Sequence, residues 1–117
     1  VVLIDGDVRK AHISTSLGVE DQPGLVELVE DPGMSLRDVC LRTTVPQLFL
    51  LPAGRFNEDV PEHWASARMQ TLMSELSQLD RQSIVVMDSS PILLTNDTQV
   101  LTRLVGQVVY VVRANWT

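Results

Sequence analysis

The sequence predicts an α/β fold, a mostly parallel sheet with helices on both faces. Three observations carry that expectation. Four short apolar runs, ending near residues 4, 51, 87 and 112, are continuous instead of alternating, as in strands covered on both sides. Segments with helical spacing separate them. No internal repeat or long linker divides the 117 residues, which amount to one domain or a piece of one.

Val1-Val2-Leu3-Ile4 reads as a buried strand that runs into Asp5-Gly6-Asp7. Residues 11–17 form a short helix closed by Gly18. Residues 24–30 carry apolar side chains at 25, 26, 28 and 29, and Asp31-Pro32-Gly33 ends that segment as a turn. Ser35 caps a helix through Leu41 with Leu36, Val39 and Cys40 inward. Gln47 to Leu51, between Pro46 and Pro52, is a second buried strand, and Pro52-Ala53-Gly54 turns the chain away. Residues 61–79 form the clearest helix, with Met69, Leu72, Met73, Leu76 and Leu79 on one stripe. Residues 83–88 form a third buried strand ending in Asp88. A helix over 97–105, capped near Asn96 or Asp97, precedes a fourth buried strand at 108–112 with Arg113 at its end.

Composition narrows the partners. A net charge of −6 argues against nucleic acid, which needs a basic face. A nucleotide stays possible, because backbone N–H groups and a metal can hold its phosphates. One cysteine excludes an internal disulfide and a multi-cysteine metal site. No apolar run approaches the roughly 20 residues of a membrane span, and no secretory signal is present, so a cytoplasmic location is expected. The chain opens inside a core-type strand without Met, and so reads as an internal piece with at least one element upstream.

The chemistry gathers where strands end. In a parallel sheet the carboxyl ends share one edge, so Asp5, Asp7, Asp88 and Arg113 should converge. Asp5 and Asp7, two apart in extended chain, can face one cation. Arg9 and Lys10 supply charge for a phosphate. The plain alternative is that each Asp caps the next helix.

These residues resemble the bacterial protein-tyrosine kinases. Val2-Leu3-Ile4-Asp5-Gly6-Asp7-Val8-Arg9 is similar to their second nucleotide motif, Walker A′, and Ile84-Val85-Val86-Met87-Asp88-Ser89-Ser90-Pro91 to their Walker B. Leu48-Phe49-Leu50-Leu51-Pro52-Ala53-Gly54, between the two, is similar to the family's leucine-proline-alanine-glycine segment. Glu62, Ser66, Arg68 and Met69 match the helix start that follows, Asp97 the Asp beyond Walker B, and Val111-Val112-Arg113 with Thr117 the closing strand. The resemblance implies an incomplete P-loop NTPase-like fold of the deviant Walker A superclass, with residues 1–117 a partial nucleotide-binding kinase domain that starts at the Walker A′ strand. It implies Mg·ATP-dependent autophosphorylation of a C-terminal tyrosine cluster and regulation of capsule or exopolysaccharide export. The implied setting is the cytoplasmic face of the membrane, beside a membrane-bound chain-length (co-polymerase) partner, as a homo-oligomer when complete. Carried over by position, Asp5 activates the attacking hydroxyl or orders the metal's water shell, Asp7 assists the metal, and Asp88 holds its water ligands. Arg9 and Arg113 would face the nucleotide, although Arg113 could equally pair with a carboxylate.

The sequence also departs from that pattern. The phosphate-binding loop Gly-x-x-x-x-Gly-Lys-Ser/Thr and the tyrosine-rich tail are absent from these residues, so this stretch alone should not turn over ATP. Tyr110, the only tyrosine, is expected inside a buried strand and is a poor phosphoacceptor there. Ser90 replaces a usual proline. A Min- or Par-type ATPase switch and a non-catalytic paralogue that binds the export machinery are the competing functions. His12 and His63 read as surface positions, Cys40 as a small core residue, and Trp64 and Trp116 carry no assigned role.

Overall fold

The computed structural model describes residues 1–79, 82–90, 97–112 and 114. Its elements are β1 (Val2–Asp5), α1 (His12–Ser16), α2 (Leu25–Glu30), α3 (Leu36–Val39), β2 (Leu41–Arg42), β3 (Phe49–Leu51), α4 (Val60–Trp64), α5 (Ala67–Ser77), β4 (Val85–Asp88) and α6 (Asp97–Thr102). Four strands form one sheet in the order β2-β3-β1-β4. β1 is central and pairs in parallel with both β3 and β4, while β2 closes one edge antiparallel to β3. The mostly parallel α/β arrangement therefore matches the sequence expectation.

The core is built where the apolar spacing placed it. Leu25, Val26, Leu28 and Val29 of α2 are all buried, and so are Ile4, Leu51 and, from α5, Met69, Leu72 and Leu76. Burying each such side chain is worth about 1.5–3 kcal/mol. Trp64 is 1 % exposed and belongs to this core, which gives it a packing role that its sequence context does not reveal.

The start of α2 is fastened to the end of β3. Leu25 and Val26 N–H donate to the Pro52 and Ala53 carbonyls at 2.8 and 3.1 Å, which satisfies two first-turn donors. A Cβ at Gly24 would collide with the Pro52 carbonyl, so glycine is required by that close approach. Gly54, at φ +83°, lets the chain leave β3, and Arg55 N–H then donates to Glu27 Oε1 at 2.9 Å.

Several boundaries differ from the sequence reading. The helix expected over 61–79 is two helices, because Ser66 is extended (φ −77°, ψ 158°) and its hydroxyl accepts from Met69 N–H to cap α5. Leu79 lies beyond α5 and is exposed. α3 stops at Val39, and Leu41–Arg42 instead forms the edge strand β2. The third run is an edge strand with Ile84 and Val86 exposed, not a strand covered on both faces. Residues 108–112 form no strand and are exposed, with Val109 84 % and Val111 93 % accessible. A β pattern marks residues suited to a ladder, but the ladder needs a neighbour, and among the described residues this run has none. Tyr110 is accordingly exposed, so burial is not what limits it as a phosphoacceptor.

Candidate active site

The parallel register places Asp5 directly opposite Asp88. Adjacent strands lie about 4.8 Å apart, so the two residues stand side by side at one rim of the sheet. The ladder continues one step past β1, with Gly6 N–H donating to the Asp88 carbonyl at 2.7 Å. A Cβ on Gly6 would stand 2.5 Å from that oxygen. The glycine between the two acids is thus what lets β1 and β4 stay paired up to the carboxylates.

Asp5 is completely buried. Its Oδ2 accepts from Ser14 N–H at 2.9 Å and from the Ser14 hydroxyl at 2.6 Å. Ser14 lies in the first turn of α1, so Asp5 satisfies one of that turn's free N–H groups, although the N-cap residue is Ala11, which makes no side-chain cap bond. Its other oxygen, Oδ1, is buried with no hydrogen-bond partner. An orphaned carboxylate oxygen is costly unless a donor or cation arrives to meet it.

Asp7 is also buried, and its Oδ1 accepts from the Ser90 hydroxyl at 2.9 Å and from Lys10 N–H at 3.4 Å. Ser90, which breaks the proline pattern, thereby ties the end of β4 to Asp7. Asp88 reaches solvent. Partial burial raises its pKa first, and the charges of Asp5 and Asp7 raise it further, against smaller lowering effects from Ser89 N–H and His12. The three acids are thus near enough for Asp5 and Asp7 to act electrostatically on Asp88.

Among the described residues, no three His, Cys, Asp or Glu side chains are disposed to hold a metal ion by themselves. The unsatisfied polar atom at this rim is thus Asp5 Oδ1, a buried carboxylate oxygen.

Arg9 is exposed, and its guanidinium lies 4.7 Å from the centre of the Phe56 ring. Arg113, Pro91, Trp116 and Thr117 lie outside the described residues, as does the side chain of Asp97. Arg68 acts structurally: its guanidinium donates to the Leu28 and Met34 carbonyls at 3.4 and 3.1 Å, clamping α5 to the end of α2. His12 is exposed as expected, whereas His63 is half-buried with Nε2 3.0 Å from Glu30 Oε1. Cys40 is half-buried, and burial raises its thiol pKa. Ser14 is the site residue that sequence reasoning missed.

Known proteins share this sequence and architecture. EpsB of Ralstonia solanacearum, assigned as a tyrosine-protein kinase, is 34 % identical over 114 residues. That match covers 97 % of this chain and 15 % of EpsB. The tyrosine-protein kinase Ptk of Acinetobacter johnsonii is 27 % identical over 106 residues, covering 91 % of this chain and 14 % of Ptk. The chain thus spans about one seventh of these relatives. Among solved structures, the VpsO kinase domain superposes with a TM-score of 0.88 at 31 % identity, over 99 % of this chain and 56 % of that one. The BceF tyrosine kinase domain gives 0.70 at 29 %, over 88 % and 39 %. No protein-family model matches the chain. By sequence and by fold alike, the chain belongs to the bacterial protein-tyrosine kinases.

Proposed function

We propose that this chain supplies the acidic half of the Mg·ATP site in a protein-tyrosine autokinase that regulates capsular or exopolysaccharide biosynthesis and export. The observation that supports it best is the register of Asp5 against Asp88, with a buried carboxylate oxygen left unpartnered at the same rim. The export role rests on the family resemblance, as do a membrane-bound co-polymerase partner, a homo-oligomeric assembly and a location at the cytoplasmic face. Among the described residues, no helix is long and apolar enough to cross a membrane.

In this reading the tyrosine oxygen attacks the γ-phosphorus of ATP, the bond to the β,γ-bridging oxygen breaks, and ADP departs. Asp5 takes the hydroxyl proton through Oδ1 while Ser14 holds Oδ2. Asp88 and Asp7 would hold the metal's water ligands, and bound magnesium would neutralise charge on the phosphates. Arg9 is assigned to the nucleotide side, and Arg113 is assigned there on the resemblance alone. The 117 residues contain no Gly-x-x-x-x-Gly-Lys-Ser/Thr loop, so by themselves they are proposed not to turn over ATP.

The test uses the full-length protein. Asp88→Ala should weaken Mg·ATP binding tenfold or more in calorimetric titration, and Asp5→Asn should bind normally while phosphotyrosine formation falls at least a hundredfold. Unchanged affinity in the first variant would remove Asp88 from the metal site, and an undiminished signal in the second would remove Asp5 from the chemistry.

A further inference from the structure

We propose that Ser14 is the positioning residue that orients Asp5 for proton transfer, an inference that rests on the role of Asp5 given above. The Ser14 side chain is 1 % exposed and uses both of its hydrogen-bonding capacities. Its hydroxyl accepts from Ala53 N–H at 3.1 Å and donates to Asp5 Oδ2 at 2.6 Å. The same residue's N–H reaches the same oxygen at 2.9 Å. Two donors from one residue therefore fix one oxygen of the carboxylate and leave Oδ1, buried, as the one without a hydrogen-bond partner.

That division matters for catalysis. Proton transfer depends on a base held at hydrogen-bond distance and angle, and a misplacement of about 1 Å can cost on the order of a hundredfold in rate. The bond from hydroxyl to carboxylate is short and charge-assisted, the stronger class of hydrogen bond. Because the hydroxyl is itself held by Ala53, the orientation of Asp5 is tied to the turn that follows β3.

Helix capping does not account for the hydroxyl. A cap requires only the Ser14 backbone N–H on Oδ2, and alanine would keep that bond. Ser14→Ala therefore separates orientation of the base from capping of α1.

The full-length protein is assayed with Mg·ATP and a synthetic Glu/Tyr copolymer as acceptor. Ser14→Ala should lower kcat tenfold or more while KM for ATP stays within threefold, and Ser14→Thr, which keeps the hydroxyl, should recover most of the loss. Unchanged kcat in Ser14→Ala overturns the inference, and so does a loss that folded Ser14→Thr fails to recover. Should Ser14→Ala not fold, Ser14→Cys keeps a polar side chain of similar shape with a weaker donor and should still lose rate, and full activity in it overturns the inference. Asp5→Asn, run alongside, separates the two levels. If Asp5→Asn is fully active, the reading of Asp5 fails and Ser14 falls with it. If Asp5→Asn is inactive while Ser14→Ala is normal, only the role of Ser14 is lost.

Discussion

Asp88 carries a penalty that the protein tolerates at its rim. Its pKa is raised from 3.8 by partial burial and by Asp5 and Asp7. Between the unfolded and the raised folded value, the native state holds more protons than the unfolded chain, so stability falls as pH rises through that window. At pH 7 the penalty is fully present. Asp88→Asn should therefore melt above the parent protein at pH 7 in magnesium-free buffer, with the gap closing below about pH 4, where both states are protonated. Scanning calorimetry across that range checks it, and an equal gap at pH 3 would attribute the effect to something other than charge. The acids themselves are legible in the sequence, because Asp5 and Asp88 each close an apolar run. Ser14 is not. Nothing in Ser14-Thr15-Ser16 marks the first of the three as the buried one, since that depends on how the chain turns after Arg9, through Ala11 at φ +48°.

At the scale of elements, spacing identifies apolar stripes more reliably than it finds their breaks. The stripe from Met69 to Leu76 packs as its period requires, yet the helix divides at Ser66, where a hydroxyl competes for the backbone. Ser66 combines two signals that periodicity overlooks, a preferred N-cap type and a place one turn after a Pro-initiated helix. Ser66→Ala should cost about 1 kcal/mol in chemical denaturation, through loss of the bond from Met69 N–H. A change under a few tenths would show that the Arg68 clamp, not the cap, sets where α5 begins. The edge strand β2 escapes the sequence for a different reason. Two residues are too few to display a period, and its pairing with β3 is a tertiary choice.

Across the whole molecule, the two edges of the sheet differ among the described residues: a two-residue strand at one and the four-residue β4 at the other. The outer edges of both β2 and β4 have no strand partner among the described residues, and β4 offers the longer open edge. Ile84, Val86 and the run from Val108 to Val112 are exposed on the structure. Apolar surface and open ladder groups of this kind promote association. The 117-residue chain should bind a hydrophobic-surface dye strongly, and Val109→Lys with Val111→Lys should reduce that signal severalfold. A signal unmoved by the pair would place the accessible apolar surface elsewhere. Three of the four strands are readable because apolar runs specify sheet material, whereas β2 shows no such run and the run at 108–112 forms no strand, since which run finds a neighbour depends on chain beyond its own composition.

The pairing of β1 with β4 behaves like a ruler whose marks are peptide units. The interval between the two acids is set by backbone repeat and held by Gly6, so replacing either acid with Glu would move a charge outward by one methylene without changing the interval. Altering the interval by a one-residue slip would turn every side chain of the slipped strand to the opposite face. Geometry of that kind drifts little under surface mutation, and it can be transplanted only together with the strands that carry it.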